Sequence, residues 1–128
     1  MNRRSASVLL CALGLMLIAG MPAQAAEPTA LRILVVQPSD LKAYLHELDI
    51  AQGMIKKAGM STRLRAWQAQ FAGTEAGTVI VSLEFANLGE LARYYEMTRT
   101  NAELAAELAK IVALRKVVSD SLYQELPL

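Results

Sequence analysis

Residues Trp67 to Glu96 read WQAQFAGTEAGTVIVSLEFANLGELARYYE, and the order of signals in this stretch decides the fold. Two runs with β character flank Gly73-Thr-Glu-Ala-Gly77, a glycine-bracketed link of the kind that closes a hairpin. In the second run Val79, Val81, Leu83 and Phe85 alternate with Thr78, Ile80, Ser82 and Glu84, giving one apolar face and one mixed face. Immediately afterwards, Asn87 with Glu90 three residues on is the signature of a capped helix start. The stretch therefore reads as strand, turn, strand, helix.

Upstream, residues 61–72 are the expected extent of the first of these strands. Arg63, Arg65 and Trp67 alternate there with Leu64, Ala66 and Gln68, which places the strand near a sheet edge with one face wet or functional. Ser39 or Asp40 caps a helix to about Ala58, with Leu41, Leu45, Leu48 and Ile55 on its apolar stripe and Gly59 at the left-handed cap. Before it, Leu31 to Gln37 is rich in β-branched residues and ends at Pro38, as a central strand covered on both faces would. Downstream, the helix from Asn87 carries Leu88, Leu91, Ala92 and Tyr95. Thr98 to Asn101 interrupts the pattern, so either two helices or one bent helix fits. Leu104, Leu108, Ile111 and Val112 then share a face, with Glu103, Glu107 and Lys110 outside. Lys116 to Glu125 is the last strand, with Val118 and Leu122 opposed to Val117 and Tyr123.

The resulting order, β-α-β-β-α(α)-β, is the split βαβ arrangement of a ferredoxin-like α+β domain with a four-stranded antiparallel sheet. Right-handed crossovers put the first and third strands in the middle. Helices then cover one face, and the other face, to which Ile80 belongs, needs a cover of its own.

The amino terminus predicts an address. Met1-Asn-Arg-Arg4, an apolar run from Val8 to Ala19 and the small residues Ala23 and Ala25 are the three parts of a secretory signal peptide, with cleavage expected after Ala25. The apolar run is shorter than the ~20 residues a membrane-spanning helix needs, so no stable anchor is expected after cleavage. The expected destination is periplasmic or secreted. Removing 25 of 128 residues leaves 103, a single domain over 26–128. Arg3 and Arg4 leave with the signal while all 12 acids stay, so 13 basic residues fall to 11 and the net charge becomes −1. A near-neutral chain without a basic run offers no electrostatic footprint for nucleic acid. Cys11, the sole cysteine, also leaves, which excludes thiol chemistry.

The residue pattern resembles the dimeric α/β-barrel superfamily, most closely its NIPSNAP-like and antibiotic-biosynthesis-monooxygenase-like branches. Trp67, Phe71-Ala-Gly73, Gly77-Thr-Val-Ile-Val81 and Glu84-Phe-Ala-Asn-Leu88 carry the likeness, which spans about Leu31 to Leu126. The resemblance implies that two copies pack sheet against sheet, with a cavity between sheet and helices or between protomers. Some members are cofactor-independent monooxygenases. Others degrade haem with an asparagine, a tryptophan and a histidine on the second helix. Here the first strand has no asparagine and His46 falls on the first helix, so only Trp67 has a counterpart and haem breakdown is not expected.

Five residues stand as ligand-binding candidates: Trp67, Glu84, Tyr95, His46 and Arg65. A hairpin symmetric about Glu75 pairs Trp67 with Leu83 and puts the indole on the helix side. A shift by one pairs Trp67 with Glu84 and sends both to the opposite face. Tyr95 joins the stripe of the second helix while Tyr94 points outward. Arg63 and Arg65 share a strand face and suit a carboxylate, or a solvated edge. His46 is the only histidine, too few for a histidine metal site, and Ser82 and Thr78 have no triad partners. No metal site and no cofactor motif is read, and no catalytic residue is assigned. The expectation is a homodimeric protein binding a small hydrophobic or aromatic ligand. A cofactor-independent monooxygenase or isomerase acting on a small aromatic or quinone-like molecule ranks second, and a structural partner of another exported protein third.

Overall fold

The computed structural model describes residues 27–71 and 73–128. The export signal and its cleavage site after Ala25 lie outside the described residues. The elements run β1 (Ala30–Pro38), α1 (Leu41–Lys57), β2 (Arg63–Gln68), β3 (Val79–Phe85), α2 (Leu88–Thr100), α3 (Ala102–Ala113) and β4 (Arg115–Gln124). The strands form one antiparallel sheet in the order β2-β3-β1-β4, with β1 and β3 central as the crossover rule requires. Among the described residues no helix is long and apolar enough to cross a membrane.

Local chemistry sets the helix ends where the sequence puts them. The Ala43 N–H donates to Asp40 Oδ1 at 3.0 Å, capping α1. At its other end Gly59 adopts φ +79°, its N–H reaching Lys56 O at 3.0 Å while that of Met60 reaches Ile55 O at 3.3 Å, the bond pair of a Schellman motif. Asn101 separates two helices. Its extended backbone (φ −93°, ψ 103°) stops α2, and its Oδ1 accepts from the Leu104 N–H at 3.1 Å to start α3.

The hairpin takes neither of the two anticipated registers. Trp67 lies opposite Ile80 and Arg63 opposite Glu84, so the indole shares a face with Glu84 without being its partner. The cause is the loop. Ala69 spends its N–H on Thr78 O (3.0 Å) and its carbonyl on the Gly77 N–H (2.9 Å), which ends the ladder and stops β2 at Gln68 rather than Ala72. Gly73 and Gly77, at φ +57° and +86°, supply the left-handed turns at either end.

Three apolar stripes are rotated from expectation. α1 buries Tyr44, Leu48, Ala51 and Ile55, leaving Leu41 and Leu45 exposed. α2 buries Glu90, Leu91 and Tyr94, so Tyr94 is the inward tyrosine and Tyr95 is the more exposed of the two. α3 buries Glu107 beside Leu104 and Ile111, while Val112 is exposed. In α2 and α3 a glutamate with dedicated partners occupies an inward position, and hydrophobic periodicity cannot count it. In β4 a bulge leaves Val118 without an opposite residue, because Val35 pairs with Ser119 and Val36 with Val117. The extra residue exchanges faces, so Val117 and Leu122 end on one side rather than opposite sides.

The sheet consequently has two different faces. Ala30, Leu34, Val36, Val79, Val81, Leu83 and Phe85 point at the helices and form the core with Tyr44, Ile55, Leu104 and Ile111. Leu31, Ile33 and Val35 of β1 point the other way, beside Ile80, Ser82 and Glu84 of β3 and Arg63, Arg65 and Trp67 of β2.

Candidate functional site

A cavity of about 240 Å³ opens between the helix-side face of the sheet and α2 and α3. Its floor is Leu34, Val81, Leu83 and Leu64; Leu48, Leu108, Ile111 and Val112 wall it from the helices. Five polar side chains also line it: Arg32, Arg115, Tyr94, Tyr95 and Thr98.

Arg32 occupies the one charged position in an otherwise apolar central strand, on the face that meets the helices. It is tolerable there because Asp120, on neighbouring β4, receives its guanidinium as a fork, Nε to Oδ1 at 2.9 Å and Nη2 to Oδ2 at 2.6 Å. That hydrogen-bonded pair holds Asp120 below the usual carboxylate range and raises Arg32 further, so both stay charged. The guanidinium also stands 5.8 Å from the centre of the Tyr95 ring. Tyr95 meets Tyr94 edge-on at 5.7 Å, and Tyr94 in turn packs on Phe85 at 5.4 Å. Burial pushes the Tyr94 hydroxyl up, which makes it a proton donor and not a base at neutral pH.

Arg115, at the start of β4, is held differently. Its Nη1 donates to the hydroxyl of fully buried Tyr44 at 3.1 Å. Its Nε is buried and has no acceptor among the described residues, a group whose burial costs roughly 1–3 kcal/mol if it stays unpaired. No carboxylate among the described residues forms an ion pair with it.

The five sequence candidates do not converge. Tyr95 alone lines this cavity. Trp67, Arg65 and Glu84 sit on the opposite face of the sheet, with Arg65 near each of the other two. The indole Nε1–H donates to Ser82 Oγ at 3.2 Å, Arg65 Nε lies 3.7 Å from Glu84 Oε1, and the Arg65 guanidinium stands 5.9 Å from the Trp67 ring. His46 faces solvent on α1. Among the described residues no three histidine, cysteine or acidic side chains gather as metal ligands would. Arg32, Asp120, Arg115, Tyr44 and Tyr94 escaped the sequence reading. One signal was present: a lone arginine within Leu31-Arg-Ile-Leu-Val-Val36 demands a carboxylate partner, and Asp120 lies within the final strand.

Two further carboxylates occupy the helix layer. Glu90 accepts from the Ala86 N–H at 2.7 Å, Ser61 Oγ at 2.8 Å and Thr62 Oγ1 at 3.1 Å, tying the entry of β2 to the start of α2. Burial alone would raise its pKa, but these donors overcome it and hold the carboxyl below its ordinary value. Between α1 and α3 the carboxyls of Glu47 and Glu107 are coupled, with Glu47 Oε2 and Glu107 Oε1 both buried and without a donor among the described residues. A proton shared between them raises Glu47 and lowers Glu107. Lys110 Nζ reaches Glu107 Oε2 at 3.3 Å.

Known structures share this architecture. A NIPSNAP family protein from Agrobacterium tumefaciens superposes with a TM-score of 0.59 at 14% identity, over 84% of this chain and 92% of that one. An uncharacterised NIPSNAP-like domain protein from Burkholderia xenovorans gives 0.55 at 15% identity, over 79% and 84%. A conserved protein of unknown function from Bacteroides thetaiotaomicron, described as a possible oxidoreductase, gives 0.56 at 11% identity, over 79% of this chain and all of that one. No family model and no curated protein matches the chain. The likeness establishes the fold, a ferredoxin-like α+β domain shared with these NIPSNAP proteins.

Proposed function

We propose that this chain is an exported, homodimeric α/β-barrel protein that binds a small hydrophobic or aromatic ligand in the cavity between its sheet and its helices. The cavity carries the reading. At about 240 Å³ it has the volume of roughly eight waters at ~30 Å³ each. That falls below the ~300 Å³ at which pockets for drug-sized molecules begin, and so suits a compact ring system. Eight aliphatic side chains with a few convergent polar groups are the lining such a ligand requires.

Dimerisation draws support from the other sheet face. Leu31, Ile33, Val35 and Ile80 form an apolar centre there, with Trp67 at one edge and Tyr123 at the other. Arg63, Arg65 and Glu84 lie around it, an apolar core with a polar rim. A second copy presenting the same face would cover it in a closed twofold pair. Export draws support from Arg3-Arg4, the apolar run and the Ala23-x-Ala25 ending.

Turnover as a cofactor-independent monooxygenase or isomerase ranks second. It draws support from the tyrosines in the cavity and from the Bacteroides neighbour's description. Against it, Glu84 and His46 stand outside the cavity, and the lining supplies no free base.

The test is titration of the purified full-length gene product with 2-naphthol, followed by thermal shift, beside sedimentation equilibrium. Saturable binding at one site per chain, lost in Leu108→Trp, and a two-chain mass are expected. A folded protein that takes up no 2-naphthol would overturn the ligand reading, and a one-chain mass at micromolar concentration would overturn the dimer.

A further inference from the structure

The cavity is apolar in shape but not in charge. Two guanidiniums line it, Arg32 and Arg115, and the one carboxylate that meets either of them, Asp120, is not part of the lining. Asp120 is committed in a two-bond fork to Arg32. A guanidinium is a fixed positive charge in a protein, so the lining keeps one uncompensated positive charge.

That charge belongs to Arg115. Its Nη1 is engaged by a neutral phenol, Tyr44 Oη at 3.1 Å, which fixes the guanidinium plane without neutralising it. The Tyr44 bond occupies Nη1. Nε is enclosed by protein and has no acceptor among the described residues. That leaves Nη2, which makes no hydrogen bond among the described residues, as the donor on which a carboxylate forms a charge-assisted bond. A charged donor left unpaired beside an apolar cavity favours a ligand that supplies the missing acceptor.

We infer that the preferred ligand is a small apolar monocarboxylate, its ring or chain against Leu34, Val81, Leu83 and Ile111 and its carboxylate on Arg115. The inference rests on the cavity being the ligand site. Arg32 takes a different part, since its fork is already closed by Asp120 and it contributes a wall beside Tyr95.

The experiment compares acid with isosteric neutral amide: 2-naphthoate against 2-naphthamide, and octanoate against octanamide, by calorimetry on the full-length protein at neutral pH. At least one acid should bind at least ~10-fold more tightly than its amide, the ratio one charge-assisted bond supplies. The responding pair tells whether the body is a ring or a chain. In Arg115→Gln the ratio should collapse towards one with amide binding retained. Tyr44→Phe, which removes the phenol and keeps the charge, should preserve the preference for the acid; it keeps the test decisive if Arg115→Gln fails to fold. Equal binding of acid and amide in the native protein would overturn the carboxylate assignment and leave the cavity reading standing. Failure of all four probes to bind would overturn both.

Discussion

Trp67 donates its indole N–H to Ser82 Oγ at 3.2 Å across the β2–β3 ladder, on the face of the sheet that the helices leave open. The bond holds the ring over the neighbouring strand: Ser82 is only 3% exposed although no helix covers it, while the indole itself remains 50% exposed. Trp67 is the sole tryptophan, so its fluorescence reports this face alone. If a second copy covers the sheet, emission should move to the red on dilution as pairs separate. Ile33→Lys, at the centre of the same face, should show the red-shifted spectrum at every concentration. A spectrum that ignores both dilution and Ile33→Lys would count against pairing through the sheet.

Glu90 should be a stability residue with a defined pH signature. Because its folded pKa is depressed, the stabilisation is present above the unfolded value and is lost as pH falls through the folded one. Glu90→Gln places an amide donor among three existing donors and should cost roughly 1–3 kcal/mol at neutral pH. In a domain of this size that corresponds to a melting point lower by roughly 5–15 °C. The acid limb of the melting profile should flatten in the same variant, which calorimetry across pH would register.

Glu47 and Glu107 predict a dependence of the opposite sign. The raised Glu47 contributes stability while it holds the shared proton, and that contribution disappears as pH rises through its folded pKa. Glu47→Gln donates to Glu107 at every pH. The variant should melt higher than the native protein at neutral pH, and the gap should close towards acid pH. Melting curves collected from about pH 4 to about pH 8 would show it.

Asn101 ends one helix and begins the next with the same residue. Its side chain is the only cap for the α3 N-terminus among the described residues. Asn101→Ala should cost about 1 kcal/mol in chemical denaturation, and Asn101→Gly only a few tenths. Equal losses for the two would mean that the capping oxygen, which both variants lack, and not backbone conformation sets the cost.

How much of this was legible in the chain differs by element. The caps at Asp40, Asn87 and Asn101 and the turn glycine Gly59 were readable because each is a local bond between residues a few positions apart. The hairpin faces were not. Ala69 carries both bonds that close the loop, and nothing in its own identity announces that role. Nor did periodicity find the inward faces of α2 and α3, since Glu90 is buried through Ser61 and Thr62, far away in sequence, and Glu107 beside Glu47 of α1.

By itself, then, the sequence determined the order of elements and the caps that start the helices, through short-range bonds and apolar alternation, and the strand order through the handedness of the crossovers. Only the tertiary structure decided the site. Arg32 meets Asp120 across 88 positions of sequence, and Arg115 meets Tyr44 across 71. Each pair exists because β4 returns beside β1 and its bulge at Val118 resets which side chains face the helices. Long-range pairing of this kind is fixed by packing and register, and no local pattern encodes it.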